Sequence, residues 1–254
     1  GMIELVSYWK ATCSPRVIIK GRKLSEEQVL WWKNVYYQGL GEFFYTNGIT
    51  TDAGSFMQIL SEGETMLPQN ISLDETLIVP IGGGKDSVVT LELLAGSKKI
   101  RPFIMNPRGA TLECVRIAGF GNDGFIEVKR RIDPLLLELN AKGFLNGHTP
   151  FSAMLAFYSL LISAISGHRH IALSNESSAN EPTVSGTDVN HQYSKSYAFE
   201  SDFRDYVKTY ISPDFNYFSF LRPLNELQIA RLFARQVKYY PAFKSCNAGS
   251  KTDS

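Results

Sequence analysis

Along most of the chain, apolar residues come in short blocks separated by polar turns, and the rhythm of those blocks changes near residue 70. Before that point the pattern is mixed. "IELVSYWKA" (3–11) and "RVIIKGR" (16–22) have strand-like content on either side of "TCSP", which predicts a hairpin. "SEEQVLWWKNVYYQGLGEFF" (25–44) predicts an amphipathic helix, with Ser25 three residues ahead of Gln28 in the order of a capping box. Residues 1–70 therefore read as a small α+β extension. Its aromatic residues, including Trp31, Trp32, Tyr36 and Tyr37, are expected to pack onto the main domain, 71–254, rather than to bind a ligand.

From residue 77 onward strands and helices alternate. "TLIVPI" (76–81), "RPFIMN" (101–106), "FIEVKR" (125–130), "HIALSN" (170–175) and "YFSFL" (217–221) are the strand candidates. Between and after them stand the helix candidates "DSVVTLELLAG" (86–96), "ATLECVRIAG" (110–119), a buried helix over 150–167 and "LNELQIARLFARQ" (224–236). Thr149–Pro150 supplies a cap and an N-terminal proline for the third of these, and Gly167 ends it. Strands alternating with helices imply parallel pairing through right-handed crossovers, hence an α/β, doubly wound, Rossmann-like sheet. Ligands of such sheets bind at the carboxyl ends of the strands, which directs attention to 82–87, 105–108 and 174–195.

Composition narrows the classes. A chain of 254 residues with 44% hydrophobic content can bury a substantial core, and its net charge of +1 argues against a protein built to grip nucleic acid. Cys13, Cys114 and Cys246 are scattered, with no CxxC pair, which fits a reducing, cytoplasmic setting and no structural zinc site. The most apolar stretch, 150–167, is interrupted by serines and short for a bilayer, so no membrane association is expected. Gly1 ahead of Met2 reads as a remnant of tag removal. The abrupt polar end "NAGSKTDS" predicts a natural chain that continues, truncated here at its C-terminus. Oligomeric state is not legible.

"IGGGKDS" (81–87) carries the chemistry. A Walker A loop requires GxxxxGK[ST], but Asp86 follows Lys85 and Val79 stands at the first glycine's place. A dinucleotide fingerprint requires GxGxxG, and Ser87 replaces the last glycine. "GGGKDS" after a strand instead resembles the S-G-G-x-D-S loop of the PP-loop ATP pyrophosphatase superfamily, with Gly82 in place of the leading serine. In that reading Gly82, Gly83 and Gly84 let backbone N–H groups approach phosphates at a helix N-terminus, Ser87 donates a hydroxyl and Lys85 adds charge. Asp86 beside a polyphosphate requires an intervening cation, and Mg²⁺ is expected there. The bland alternative makes Asp86 a helix cap. Asn106, at the end of the second strand of this series, joins the nucleotide candidates.

The segment "ALSNESSANEPTVSGTDVNHQYSKSYAFESDF" (172–203) reads as one long loop and a binding element. Together with the glycine loop it is similar to the bacterial UDP-N-acetylmuramoyl-L-alanyl-L-glutamate epimerases. The resemblance rests on "GGGKDS", "LSNESSAN", "NHQYSKS" with the following "FE", "RPLNELQIARLF" and "FKSCN", and covers roughly 70–247. It implies an adenine nucleotide alpha hydrolase-like fold, ATP and Mg²⁺, and a nucleotide-linked small-molecule substrate whose terminal L-glutamate is adenylated and inverted. Members of that family continue into a tryptophan- and cysteine-rich stretch.

Several roles stay open. Lys195, Tyr193 and His191 are the acid/base candidates; Lys195 is favoured, or it neutralises the α-phosphate. Glu176 is placed at the metal, at a substrate amine or in a plain ion pair, beside Asn175. Arg108 is a candidate for the substrate's anionic groups, as are Arg116 and Arg222, each with a structural alternative. His148, His168, His170 and Cys246 read as structural. Two competing functions stand beside the epimerase: another adenylating ligase or synthetase of the superfamily, and a non-catalytic ATP-binding regulatory module.

Overall fold

In a computed structural model the described residues are 1–96, 98–179 and 193–244. The strands are β1 (Arg16–Lys23), β2 (Gln58–Thr65), β3 (Asp74–Pro80), β4 (Ile100–Met105), β5 (Ile126–Val128), β6 (His168–Leu173) and β7 (Asn216–Ser219). The α-helices are α1 (Met2–Trp9), α2 (Glu26–Gly39), α3 (Gly41–Thr46), α4 (Lys85–Ala95), α5 (Gly109–Ile117), α6 (Pro134–Ala141), α7 (Phe151–Ser166), α8 (Tyr197–Tyr210) and α9 (Glu226–Phe233). The chain divides into two compact units. One holds 1–70, 132–158 and, of the described residues, 193–213; the other holds 71–131, 159–179 and 214–244.

The second unit contains a five-stranded, wholly parallel sheet in the order β5-β4-β3-β6-β7. Chain order runs outward from β3 to β4 and β5, then returns to β6 and β7 on the other side. The reversal lies between β3 and β6, the topological switch point of a Rossmann-like sheet. Leu77, Val79 and Ile81 share one core cluster with Leu91 and Leu94 of α4, Ile104 of β4 and Ala172 of β6. The alternate residues Ile78, Phe103 and Ile171 are also fully buried. Both faces are therefore withdrawn from water, as an all-parallel sheet requires. Each such side chain contributes roughly 1.5–3 kcal/mol of burial, so the central strands are the fixed frame for their loops. All five strands predicted from the alternating pattern are present.

The first unit departs from its sequence pattern in two places. Residues 2–9 form a helix, not a strand: Ile3, Val6, Ser7 and Trp9 are its buried side, a spacing of three and four that the local β-branched content masked. β1 consequently has no hairpin partner. It pairs in parallel with β2, Arg16 opposite Gln58 through Lys23 opposite Thr65, and α2 and α3 provide the crossover that parallel pairing needs. Lys20 faces Glu62 and Arg22 faces Glu64 across this pair, which suits two exposed strands.

The capping box at α2 is formed as predicted, Ser25 Oγ accepting from Gln28 N–H at 3.2 Å and Gln28 Oε1 accepting from Ser25 N–H at 3.0 Å. Trp32 is buried, stacks on Phe157 at 4.9 Å and donates its indole N–H to the Tyr206 hydroxyl at 3.0 Å. Trp31 stacks on Tyr206 at 4.1 Å. These rings are core. Of the long loop predicted over 172–203, residues 180–192 lie outside the described residues; its first two residues end β6, and a 3-10 turn, Tyr193–Lys195, leads into α8 at Tyr197, with Ser196 accepting from Phe199 N–H as its N-cap.

Candidate active site

The glycine loop occupies the switch point. Ile81 N–H still donates to Phe103 O at 2.8 Å, so the ladder holds the chain until the first glycine. Gly83 then turns through φ +80°, a conformation that other residues adopt only under strain. A Cβ there would stand 3.2 Å from Thr111 N and 3.3 Å from Ala110 C, so it would crowd the backbone at the start of α5. Gly84 is the N-cap residue of α4. Ser87 is buried and its hydroxyl donates to Gly84 O at 3.0 Å, closing the first turn. Beneath the loop lies Cys114, fully buried, its thiol pKa pushed to about 11 by burial first and by Glu113 second. It packs; it is no nucleophile.

Lys85 and Asp86 open α4 and pair with each other, Nζ to Oδ1 at 2.9 Å. Asp86 thus meets its neighbour, with 38% of its side chain exposed. Glu226 Oε1 is 3.4 Å from the same ammonium. Burial opposes the charge on Lys85, but Asp86 and then Glu226 outweigh it and raise its pKa above the ordinary lysine value. Glu226 is set in place by the reciprocal cap of α9, in which Asn225 Oδ1 accepts from Gln228 N–H and Gln228 Oε1 from Asn225 N–H, both at 2.9 Å. The composition of "RPLNEL" shows that cap, but nothing in the sequence says that Glu226 reaches Lys85.

The loop after β6 lies on the same edge of the sheet. Asn175 donates to Ser219 Oγ at 3.1 Å, and Arg222 donates to Glu176 O at 3.0 Å and to Ser219 Oγ at 3.2 Å. Ser177 N–H donates to Leu224 O at 3.0 Å. The Glu176 carboxylate accepts from Ser178 N–H at 2.8 Å and from the Ser178 hydroxyl at 2.9 Å, so it closes its own turn. Asn106, at φ +52°, uses its side-chain oxygen to accept from Arg130 N–H at 2.7 Å, joining the ends of β4 and β5. Arg108 precedes α5, its N–H donating to Thr111 Oγ1 at 2.9 Å.

Of the candidates named from sequence, Gly82 to Ser87, Asn106, Arg108, Asn175 and Glu176 all belong to this unit and to the carboxyl edge of its sheet. Tyr193 and Lys195 belong to the other unit. The Tyr193 hydroxyl accepts from Asn34 Nδ2 at 3.2 Å and donates to Asp202 at 3.4 Å, and burial foremost pushes its pKa to about 12. His191 lies outside the described residues, as does Cys246. His168 and His170 are structural, bonded to Asp74 at 2.9 Å and Glu75 at 2.7 Å. A cavity of about 510 Å³ lined by Asp74, Glu75, Lys99, His170 and Asn216, among others, opens at the opposite, amino edge of the sheet and does not involve the glycine loop.

No cluster of three or more His, Cys, Asp or Glu that could cage a metal occurs among the described residues. The donor set at the glycine loop is one accessible carboxylate, Asp86, beside a hydroxyl and a helix N-terminus. That set suits Mg²⁺ shared with phosphate oxygens and water, the usual habit of that ion, and not a self-sufficient protein site. Among the described residues no helix is long and apolar enough to cross a membrane.

Fold and loop together define a parallel α/β protein with a glycine-rich, anion-suited turn at its switch point. Residues 1–220 match the family model described as the MurL N-terminal domain, and the chain belongs to that family. It is 36% identical over 252 residues to the "UDP-N-acetyl-alpha-D-muramoyl-L-alanyl-L-glutamate epimerase" of Xanthomonas oryzae pv. oryzae (strain MAFF 311018), covering 97% of this chain and 54% of that protein. Identity to the protein of the same name from Salinispora tropica (strain ATCC BAA-916 / DSM 44818 / JCM 13857 / NBRC 105044 / CNB-440) is 36% over 255 residues, 98% of this chain and 54% of the relative. For Micromonospora sp. (strain ATCC 39149 / NRRL 15099 / SCC 1413) it is 34% over 250 residues, with 97% and 55% covered. The chain spans about half the length of these curated relatives.

Proposed function

We propose that this chain forms the nucleotide-binding part of an ATP- and Mg²⁺-dependent epimerase. The enzyme would invert the terminal L-glutamate of a UDP-N-acetylmuramoyl dipeptide to D-glutamate, releasing AMP and pyrophosphate, in the cytoplasmic assembly of peptidoglycan precursors. The glycine loop is then a PP-loop on an adenine nucleotide alpha hydrolase-like fold. One observation carries the reading: a chain matched almost end to end by proteins named for this epimerisation places its triple glycine at the switch point, with the loop ending in Gly84 at the start of α4.

The chemistry is coherent. The α-proton of an ionised glutamate is weakly acidic because its removal adds charge to an anion. ATP bound at the loop supplies an adenylyl group that neutralises that carboxylate and lets a positioned base act. Gly82 to Gly84 and the first turn of α4 hold phosphate oxygens through backbone N–H groups. Asp86 would hold Mg²⁺ and Lys85 would meet the polyphosphate, while Ser87, whose hydroxyl donates to Gly84 O, keeps the first turn of α4 closed beneath it. Asn175 and Arg108 are the residues assigned to the substrate's polar groups, with Glu176 keeping the loop after β6 in shape. For proton transfer Lys195 is preferred to Tyr193, whose phenol is committed to Asn34 and Asp202 and is too weak an acid to cycle near neutral pH.

The test is to incubate the protein in D₂O with ATP, Mg²⁺ and the L-glutamate-ending precursor, then to hydrolyse the product and resolve glutamate by chirality. D-Glutamate carrying α-deuterium, with AMP formed in step, supports the reading. AMP without inversion would make the protein an adenylating ligase, and ATP bound without AMP would make it a regulatory module.

A further inference from the structure

We infer that Glu226 is a positioning residue that takes over the Lys85 ammonium when Asp86 binds a divalent cation, so that Glu226 sets how readily the metal enters the site. The inference rests on the ATP·Mg²⁺ reading above. Its basis is an ion-pair chain among the described residues. Lys85 Nζ is shared between Asp86 Oδ1 at 2.9 Å and Glu226 Oε1 at 3.4 Å, and the lysine is the least exposed of the three, at 23% against 38% and 71%.

An ammonium and a magnesium ion compete for the same carboxylate oxygens. While Lys85 sits on Asp86, the only acidic side chain of the loop is neutralised, and an entering cation meets a positive charge a few ångströms away. Releasing Lys85 into a half-buried position without a counterion is unfavourable, because the loss of hydration is then uncompensated. Glu226 removes that difficulty. It already lies at near-contact distance, and the reciprocal cap between Asn225 and Gln228 fixes the first turn of α9 that carries it. A small rotation of the lysine side chain toward Glu226 frees Asp86 and keeps the positive charge paired. The handover needs only a side-chain rotation, and among the described residues the hydrogen bond it releases from the Asp86 carboxylate is the one from Lys85.

The position also explains an otherwise odd arrangement. Glu226 is 71% exposed, and an exposed pair of this kind contributes little to folding. Its consequence is local: it offers a further carboxylate to the lysine that pairs with Asp86.

The experiment uses Mn²⁺ as the magnetic stand-in for Mg²⁺. Wild type, E226Q, E226D, K85M and K85M/E226Q are titrated with Mn²⁺ at fixed ATP. Bound metal is counted by electron paramagnetic resonance, and bound nucleotide by equilibrium dialysis. The expected result is that E226Q raises the Mn²⁺ concentration for half-saturation by about 3- to 10-fold, the size of one charge–charge coupling at partial exposure. ATP binding at saturating Mn²⁺ should stay within 2-fold of wild type, and E226D should recover most of the shift. In the K85M background, E226Q should add nothing, because no ammonium remains to hand over. Melting temperatures of E226Q and wild type should agree within about 2 °C, as expected for an exposed substitution.

E226Q with an unchanged half-saturation point, in a protein that binds ATP with Mn²⁺, overturns the assignment of Glu226 while the nucleotide-binding reading stands. The same holds if E226Q and K85M effects add. Wild-type protein that binds no ATP with or without Mn²⁺ overturns both.

Discussion

The backbone N–H of Lys244 donates to the carbonyl of Gly83 at 2.9 Å. The glycine loop is therefore pinned from both sides, by Lys244 at the carbonyl and by the start of α5, where Thr111 N would lie 3.2 Å from any Cβ placed on Gly83. A loop that presents N–H groups to phosphate must keep its peptide planes fixed, since reorganising them on binding would consume affinity. Gly83→Ala is expected to destabilise the protein by about 1–3 kcal/mol, from left-handed backbone strain plus the crowded contact. ATP affinity should fall at least 10-fold. Chemical denaturation and equilibrium dialysis of the variant check the two effects, and the Gly82→Ala variant is the control for stability alone, because among the described residues a Cβ at Gly82 meets nothing within 4 Å.

A second prediction concerns Lys10, a buried cation at 4% exposure. Its ammonium donates to the carbonyl of Gly147, to His148 O at 3.1 Å and to Thr149 Oγ1 at 2.6 Å. One side chain thus gathers the whole approach to α7. Lys10→Met keeps most of the volume but leaves three part-buried acceptors without their shared donor. The expected loss is about 2–4 kcal/mol, measured as a lower urea midpoint with unchanged slope.

Tyr193 separates two roles that sequence alone left open. If its hydroxyl serves only to tie α2 to α8 through Asn34 and Asp202, Tyr193→Phe costs about 1 kcal/mol of stability and leaves metal-dependent ATP binding and inversion within a few-fold of wild type. The pH dependence follows from the raised pKa. The phenol titrates near 10 in the unfolded chain and at about 12 in the fold. Its contribution is therefore complete below pH 10 and is lost as pH rises from 10 to 12. Denaturation curves across that window should fall less steeply for Tyr193→Phe, by up to one proton's worth of slope. A loss of inversion by more than 100-fold with stability intact would return Tyr193 to the catalytic group.

The sheet and its switch point were legible because the strands are apolar runs punctuated by glycine and proline, and parallel order follows from alternation with helices. The glycine loop was legible for the same reason. What escaped was set by long-range partners. Ile3, Val6 and Trp9 look like strand residues until their burial shows a helical side. β1 finds β2 across more than thirty residues, which no local turn signal announces. Pro134 after Asp133 is a helix start that went unread because α6 buries little beyond Leu136. At the site, the Lys85–Asp86 pair could be foreseen from adjacency, whereas Glu226 comes to Lys85 only through the docking of α9 beside α4. The pinning of Gly83 by Lys244 is a backbone contact, and such contacts leave no trace in residue type.

The last prediction comes from the opposite edge of the sheet. A register shift between Asp74 and Leu77 puts two residues of β3, Glu75 and Thr76, against one of β6, Arg169, the signature of a bulge. The bulge lets the consecutive Asp74 and Glu75 meet His168 and His170, which are alternate residues on β6. Asp74 accepts from Thr76 N–H at 2.9 Å and from the Thr76 hydroxyl at 3.0 Å, and its pKa is pulled well below the ordinary value, by the Thr76 backbone bond foremost; burial, the next largest effect, opposes this, and the bonds from His168 and the Thr76 hydroxyl add to the lowering. A depressed carboxylate stabilises the fold above its unfolded pKa, near 4, and that contribution is lost as pH falls below it toward the folded value. Wild-type stability should therefore decline below about pH 4. Asp74→Asn removes the titrating group while keeping an oxygen for Thr76. The variant should be less stable at pH 7, lose less on acidification, and draw closer to wild type as pH falls from about 4 toward 2, as urea midpoints measured at each pH will show. Parallel curves at all pH values would mean that Asp74 acts through the Thr76 turn alone and that its charge is immaterial to the clasp between β3 and β6.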